Sequence, residues 1–252
     1  MGLIVGSGVE ELARRGRVVK VPTRFGSVEA SLTEMGGVEA AVLPRHGLAH
    51  AIPPHRVNYR AVISALKELG ATRVLATGAV GSLREHIRPG MAVVVNDFID
   101  LTKSRPSSLY EGPRVVHADM TEPFCPELRA ALLEASRRAG LEVLDGGTYA
   151  CTEGPRFETP AEIRAIRILG GDVVGMTVAT EAALAREAGL CYAALCLVTN
   201  MAAGIQGMVT AEEVAEVMGK VRDKVLKSLE EAVALIPVER RCSCLRRSGQ
   251  RS

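Results

Sequence analysis

Short apolar runs alternate with amphipathic segments along nearly the whole chain, the pattern of buried strands exchanging with the helices that cover them. Runs at 3–5, 18–22, 40–43, 73–76, 91–98, 148–151, 173–176 and 191–198 predict strands. Several are apolar almost throughout, as strands covered on both faces are. Helical spacing joins Val62, Ile63, Leu66 and Leu69, then Leu128, Leu132 and Leu133, then Ile163, Ile166 and Leu169, and continues through 182–188. In the longest amphipathic segment Val214, Val217, Val221, Val225 and Leu229 form one stripe against Glu213, Glu216, Lys220 and Lys227. Thr210 followed by Glu213 predicts a capping box at its start, and it ends near Pro237. Between 18 and 43 there is strand material with Gly36-Gly37 inside it and no helical period, which predicts an antiparallel excursion and hence a mixed sheet. The expected fold class is α/β, a single domain over 1–237 with a central mixed β-sheet flanked by helices. A basic tail, 238–252, is expected to be flexible.

Composition narrows the function classes. With 252 residues, 47% apolar and 24% charged, the chain can bury a full core. A net charge of +2, part of it in the tail, gives nucleic-acid binding no support. No run of eighteen apolar residues and no basic-then-apolar leader occurs, so the expectation is a cytoplasmic protein without a membrane partner. Of six cysteines, Cys125, Cys151, Cys191 and Cys196 lie in apolar or strand-like surroundings and are expected to be buried free thiols. Cys242 and Cys244 sit in the Arg-rich tail, where a cross-link and two idle thiols are both open readings. As a pair they offer too few ligands for a metal, and no second Cys/His pair has matching spacing, so no metal is expected.

Candidate chemistry gathers at predicted strand ends. Glu153-Gly154-Pro155-Arg156-Phe157-Glu158-Thr159 joins a bend, an aromatic face and a carboxylate ahead of a helix start at Thr159-Pro160, which suits a flat hydrogen-bonding heterocycle. Gly6-Ser7-Gly8 after the first strand leaves N–H groups and a hydroxyl for an anion. A dinucleotide fingerprint fails there, because Glu11 stands where the third glycine is needed. Pro44-Arg45-His46-Gly47 offers a guanidinium fork beside a donor imidazole, a second anion contact, with His50 and His55 nearby read as structural. Thr77-Gly78-Ala79-Val80-Gly81-Ser82 closes the strand begun at Arg73 with small residues that let a ligand approach the backbone. Gly175-Met176-Thr177 ends another strand with a soft apolar contact and a hydroxyl. Thr199-Asn200-Met201-Ala202 ends the last one with an amide that both donates and accepts.

Taken together these motifs resemble the purine nucleoside phosphorylase and methylthioadenosine phosphorylase family, as do Val57-Asn58-Tyr59, Thr121-Glu122-Pro123-Phe124-Cys125 and Glu181. The likeness runs from Leu3 to about Pro237. It implies phosphorolysis of a purine nucleoside to free base and ribose 1-phosphate, with phosphate as co-substrate and no cofactor. It implies that Ser7, Arg45, His46, Gly78, Ala79 and Thr177 hold phosphate, Met176 lines the ribose and Phe157 the base, with Asn200 and His46 as the catalytic residues. Members that use adenine nucleosides carry aspartates where this chain has Asn200 and Ala202. Asn200 can donate to O6 or N7, and Glu158 can accept from the N1–H of a 6-oxopurine, so inosine and guanosine are the expected substrates. His117 resembles a histidine that methylthioadenosine phosphorylases present to a neighbour's 5′ pocket, which keeps methylthioinosine and methylthioadenosine as alternatives. A homotrimer or homohexamer is implied, and the Cys-Ser-Cys tail resembles one in phosphorylases of heat-loving organisms. A non-catalytic nucleoside binder is a remote alternative.

Overall fold

The computed structural model describes residues 1–113 and 115–248. β1 (Gly2–Val5) is followed by a meander of β2 (Arg17–Thr23), β3 (Gly26–Met35) and β4 (Val38–Pro44), the antiparallel excursion expected between 18 and 43. Then come α1 (Tyr59–Glu68), β5 (Arg73–Ser82), β6 (Ala92–Val94), β7 (Asp97–Asp100), α2 (Pro126–Arg138), β8 (Val143–Asp145) and β9 (Thr148–Cys151). The chain continues through α3 (Pro160–Ile168), β10 (Val173–Gly175), α4 (Val178–Glu187), β11 (Cys191–Met201) and α5 (Ala211–Leu235). All eleven strands form one mixed sheet with the path β2-β3-β4-β1-β5-β10-β9-β7, while β11 pairs with β5 and β6, and β8 extends β6.

The period-two alternation of strands sorts the core into two layers. Along β11, Tyr192, Ala194, Cys196 and Val198 pack with α1 and α4, whereas Cys191, Ala193, Leu195 and Leu197 pack with α2 and α5. In β1, Ile4 joins the first layer and Leu3 and Val5 the second. A sheet covered on both faces explains why these strands read as continuous apolar runs.

Three local expectations change. The run at 91–98 divides into β6 and β7, and β5 and β11 continue through the small and polar residues read as their ends. Thr210 caps α5 by accepting from Glu213 N at 3.1 Å, but the Glu213 carboxylate turns to Gln206 Nε2 at 2.8 Å instead of closing the box. A complete box occurs at Thr159 and Glu162, ahead of α3. The tail lies against the body over 238–248, because Cys244 and Ser248 are buried and its basic residues meet acidic partners. Arg247 bridges Asp119 at 3.2 Å, and Arg241 N donates to Glu127 at 2.8 Å. The last four residues of that tail lie outside the described residues.

β5 changes neighbour halfway along one edge. Val74, Leu75 and Ala76 pair in parallel with β1, whereas Gly81 and Ser82 pair antiparallel with β10. The other edge is occupied from Arg73 to Ser82 by β11. Thr77–Val80 therefore have no strand partner on the first edge among the described residues, and their backbone faces an opening in the sheet.

Candidate active site

A cavity of about 660 Å³ fills that opening. At one end is the turn after β1, where Gly6 N donates to Thr77 Oγ1 at 3.1 Å. A Cβ at position 6 would come within 2.3 Å of Arg45 Nη1, so any larger residue there would displace that end of the guanidinium. Arg45 is buried, and its Nε and Nη2 bind the buried carboxylate of Glu181, the latter at 3.0 Å to Oε2. Tyr192 Oη donates to the same oxygen at 2.7 Å. Burial opposes the guanidinium charge, but pairing with Glu181 more than offsets it and holds the Arg45 pKa above its ordinary value. The fork that the sequence suggests for an anion is thus occupied by a protein carboxylate, leaving Nη1 as the end that faces Gly6.

His46 differs from the donor imidazole expected. Its Nδ1 lies 2.7 Å from Ile52 O, and a carbonyl only accepts, so Nδ1 carries the proton. Burial first, then the neighbouring Arg45 charge, push its pKa down to about 4, which leaves a neutral ring with Nε2 as an acceptor at pH 7. His50, read as structural, also lines the cavity, with Nδ1 2.7 Å from Glu10 Oε1, while Glu10 Oε2 accepts from Gly8 N at 2.9 Å. Gly78 and Ala79 lie on the unpaired stretch of β5 and line the cavity with Ser7. Thr177 lines the cavity at the N-terminus of α4, where the helix dipole favours an anion; its side chain makes no cap hydrogen bond, and its own N–H donates to Tyr149 Oη at 3.2 Å.

At the other end Asn200 and Glu158 line the same cavity. Asn200 Oδ1 accepts from Thr199 Oγ1 at 2.9 Å and Nδ2 donates to Met201 O at 2.9 Å. That carbonyl fixes which end of the amide is NH₂, and one N–H remains. Thr152 Oγ1 donates to Glu158 Oε1 at 2.6 Å, setting the carboxylate at the rim. Phe157, 42% exposed, lines the cavity here, and Met176 and buried Ala202 complete this end. Gly175 is obligatory before Met176, because a Cβ would lie 2.2 Å from Tyr149 Oη. His117 is exposed and is not among the residues lining this chain's cavity.

Several supporting residues carry no local signal. Arg105 ties two walls together, its Nη1 donating to Met176 O at 2.5 Å and its Nη2 to Glu153 O at 2.7 Å. From α5, Val214, Ala215 and Met218 supply an apolar wall, with Met218 packed over Gly8. Glu181 did leave a trace, an acid embedded in the apolar stretch Val178-Ala179-Thr180 and Ala182-Ala183-Leu184.

The family described as the phosphorylase superfamily matches residues 1–234. A 6-oxopurine nucleoside phosphorylase from Pyrococcus furiosus is 50% identical over 253 residues, spanning 97% of this chain and 96% of that one. A probable S-methyl-5′-thioinosine phosphorylase from Methanopyrus kandleri is 47% identical, spanning 97% of this chain and 95% of its own length. Among solved structures, a methylthioadenosine phosphorylase from Schistosoma mansoni in complex with adenine superposes with a TM-score of 0.89 at 38% identity, covering 95% of this chain and 92% of that one.

Proposed function

The chain belongs to the phosphorylase superfamily, and from that premise we propose that it cleaves 6-oxopurine nucleosides with inorganic phosphate, releasing the base and ribose 1-phosphate. The observation that carries this reading is one cavity holding a buried cation at one end and, at the other, an amide with a spare N–H beside a carboxylate. We assign the phosphate to Ser7, Arg45 Nη1, the backbone at Gly78 and Ala79, and Thr177 at the start of α4. Neutral His46 accepts an O–H of a monoprotonated phosphate through Nε2.

A phosphate oxygen attacks the anomeric carbon as the C–N9 bond breaks and its electron pair leaves with the purine. The transition state resembles an oxocarbenium ion, so the anion beneath the sugar stabilises the developing positive charge. Asn200 Nδ2 donates to O6 or N7 as negative charge grows on the departing base, and Glu158 accepts from N1–H. Phe157 offers its ring face to the base and Met176 its thioether to the ribose. No step needs a cofactor. Inosine and guanosine present the matching edge, whereas adenosine meets Asn200 with a donor and Glu158 with an unprotonated N1.

A second reading, a 5′-methylthio nucleoside as substrate, is favoured by the apolar α5 wall of Val214, Ala215 and Met218. The names of the relatives fall on both sides of this distinction. His117, outside its own chain's cavity, fits a role in a neighbouring subunit of a homotrimer or homohexamer, which with a cytoplasmic location belongs to the same proposal. Among the described residues no helix is long and apolar enough to cross a membrane. Initial rates with inosine, guanosine, adenosine and both methylthio nucleosides, with and without phosphate, test the proposal. Phosphate-dependent release from inosine or guanosine is expected. Adenosine turnover above inosine, or base release without phosphate, overturns it.

A further inference from the structure

Arg105 lies behind the cavity wall, on the strap that follows β7, and its side chain is 3% exposed. Its Nε donates to Glu153 Oε1 at 3.3 Å, and its Nη2 to Glu153 O at 2.7 Å and Thr152 O at 3.3 Å. Nη1 donates to Met176 O at 2.5 Å, with Tyr59 Oη at 3.2 Å and Thr180 Oγ1 at 3.3 Å as further acceptors. The centroid of the Tyr59 ring is 5.1 Å from the guanidinium carbon. Every N–H of the fork is thus given to the protein, and Arg105 is not among the residues lining the cavity. It keeps no proton for a substrate.

Its partners, however, all lead to the site. Met176 is the residue assigned to the ribose, and Thr177 follows it. Thr152 sends its hydroxyl to Glu158 Oε1 at 2.6 Å, and Glu153 opens the loop that carries Phe157 and Glu158. Tyr59 Oη donates to Pro54 O at 2.9 Å, and Pro54 lines the cavity. The Glu153 carboxylate accepts from Ser104 N at 3.1 Å and from Lys103 N, so strap and loop hold each other. The phosphate end is fixed separately, Arg45 by Glu181 and the Gly6 turn by Thr77.

We propose that Arg105 is a positioning residue for catalysis, which sets the ribose wall at Met176 and the base loop 152–158 at one fixed separation. The proposal rests on the phosphorolysis reading above. In that reading the C–N9 bond breaks between these two walls. An error in their separation moves the base off its donor and acceptor while phosphate stays in place beneath the sugar. A misplacement of about 1 Å costs on the order of 10²-fold in rate. Lysine cannot take over this task, because a planar fork reaches carbonyls on both walls at once, whereas an ammonium is a compact point donor.

Arg105→Lys in the full-length protein keeps the charge and is expected to stay folded by circular dichroism. Its kcat on the nucleoside that the wild type cleaves fastest should fall about 10²-fold, while the KM for phosphate stays within about twofold of wild type. Arg129→Lys is the control, since that fork binds Val95 O at 3.1 Å and its partners lie outside the cavity lining; kcat should not change. Thr152→Val, worth about tenfold in kcat/KM alone, should cost no more than about twofold in the Arg105→Lys background, because both substitutions release the same loop. A folded Arg105→Lys with wild-type kcat overturns the proposal. So does a tenfold cost of Thr152→Val in both backgrounds. If Arg105→Lys does not fold, Glu153→Gln takes its place: it breaks the ion pair and should lower kcat about tenfold with the phosphate KM unmoved, and an unchanged kcat overturns the proposal. Failure of the 6-oxopurine reading shows in the wild-type substrate panel, whereas failure of the Arg105 proposal shows only in the ratios of variant to wild type.

Discussion

Replacing Asn200 by aspartate probes the cavity end to which we assign the base, with a change of one atom. In the native arrangement Nδ2 gives one proton to Met201 O at 2.9 Å and Oδ1 takes the Thr199 hydroxyl at 2.9 Å, leaving a single N–H for the purine. An aspartate oxygen in the Nδ2 position faces the Met201 carbonyl acceptor to acceptor. It can relieve this only by holding a proton, and one O–H cannot serve both Met201 and the base. The donor toward O6 or N7 is therefore lost. Removing one donor aimed at developing negative charge costs about 2.7–4 kcal/mol, or roughly 10²- to 10³-fold in kcat. Inosine phosphorolysis, followed by enzymatic oxidation of the released hypoxanthine, should fall by that factor in kcat/KM. Adenosine, followed by chromatography of adenine, should fall far less or rise, because its amino group meets a new acceptor. Asn200→Ala, which offers neither group, should depress both. An inosine-to-adenosine ratio unchanged by Asn200→Asp would refute the assignment of Asn200 as the donor that reads the 6-oxo group.

Thr152→Val removes the hydroxyl that holds Glu158; kcat/KM for inosine should drop about tenfold, as for loss of a hydrogen bond to a charged group, and an unchanged value would remove Thr152 from the site. Glu181→Leu leaves the buried Arg45 unpaired and should lower unfolding stability in denaturant by about 3–5 kcal/mol. Inorganic phosphate should narrow that deficit by binding beside the guanidinium, and equal midpoints for variant and wild type would contradict the pairing. His46, with a folded pKa pushed down to about 4 against about 6.5 unfolded, favours the neutral ring in the native state. Its contribution of about 3 kcal/mol is complete above pH 6.5 and is lost as pH falls toward 4. Denaturation at pH 7 and pH 5 should show this slope, and His46→Gln should flatten it.

Much of the site was legible because open α/β sheets place ligand groups at strand ends, and small residues after apolar runs mark those ends. Ser7, Arg45, Gly78, Thr177, Phe157 and Asn200 were singled out this way, and all six line the same cavity. The same small residues misled about length, since Gly78 to Ser82 read as a turn and yet continue β5, held by β11 on the other edge. What stayed hidden depends on partners distant in sequence. Arg45 and Glu181 are 136 residues apart, so nothing local reveals that one neutralises most of the other's fork. Nor does spacing reveal that His46 spends its Nδ1 proton on Ile52, or that Arg105 joins the Met176 and Glu153 walls. The α5 stripe was clear as a helix face, but Val214 and Met218 serve the cavity as well as the core.

The neighbour change along β5 turns that strand into a ruler. Thr77 meets the Gly6 turn at one end of the opening, and Gly81 lies beside Asn200 Nδ2 at the other. Four residue steps at about 3.3 Å each span roughly 13 Å, the scale of a nucleoside with a phosphate against its sugar. The separation between the two reading heads is thus set by covalent backbone geometry instead of by loops. Loops around this cavity can vary to suit a different 5′ group or base edge while the spacing holds, whereas inserting or deleting a single residue within 77–81 would put the two ends out of step at once.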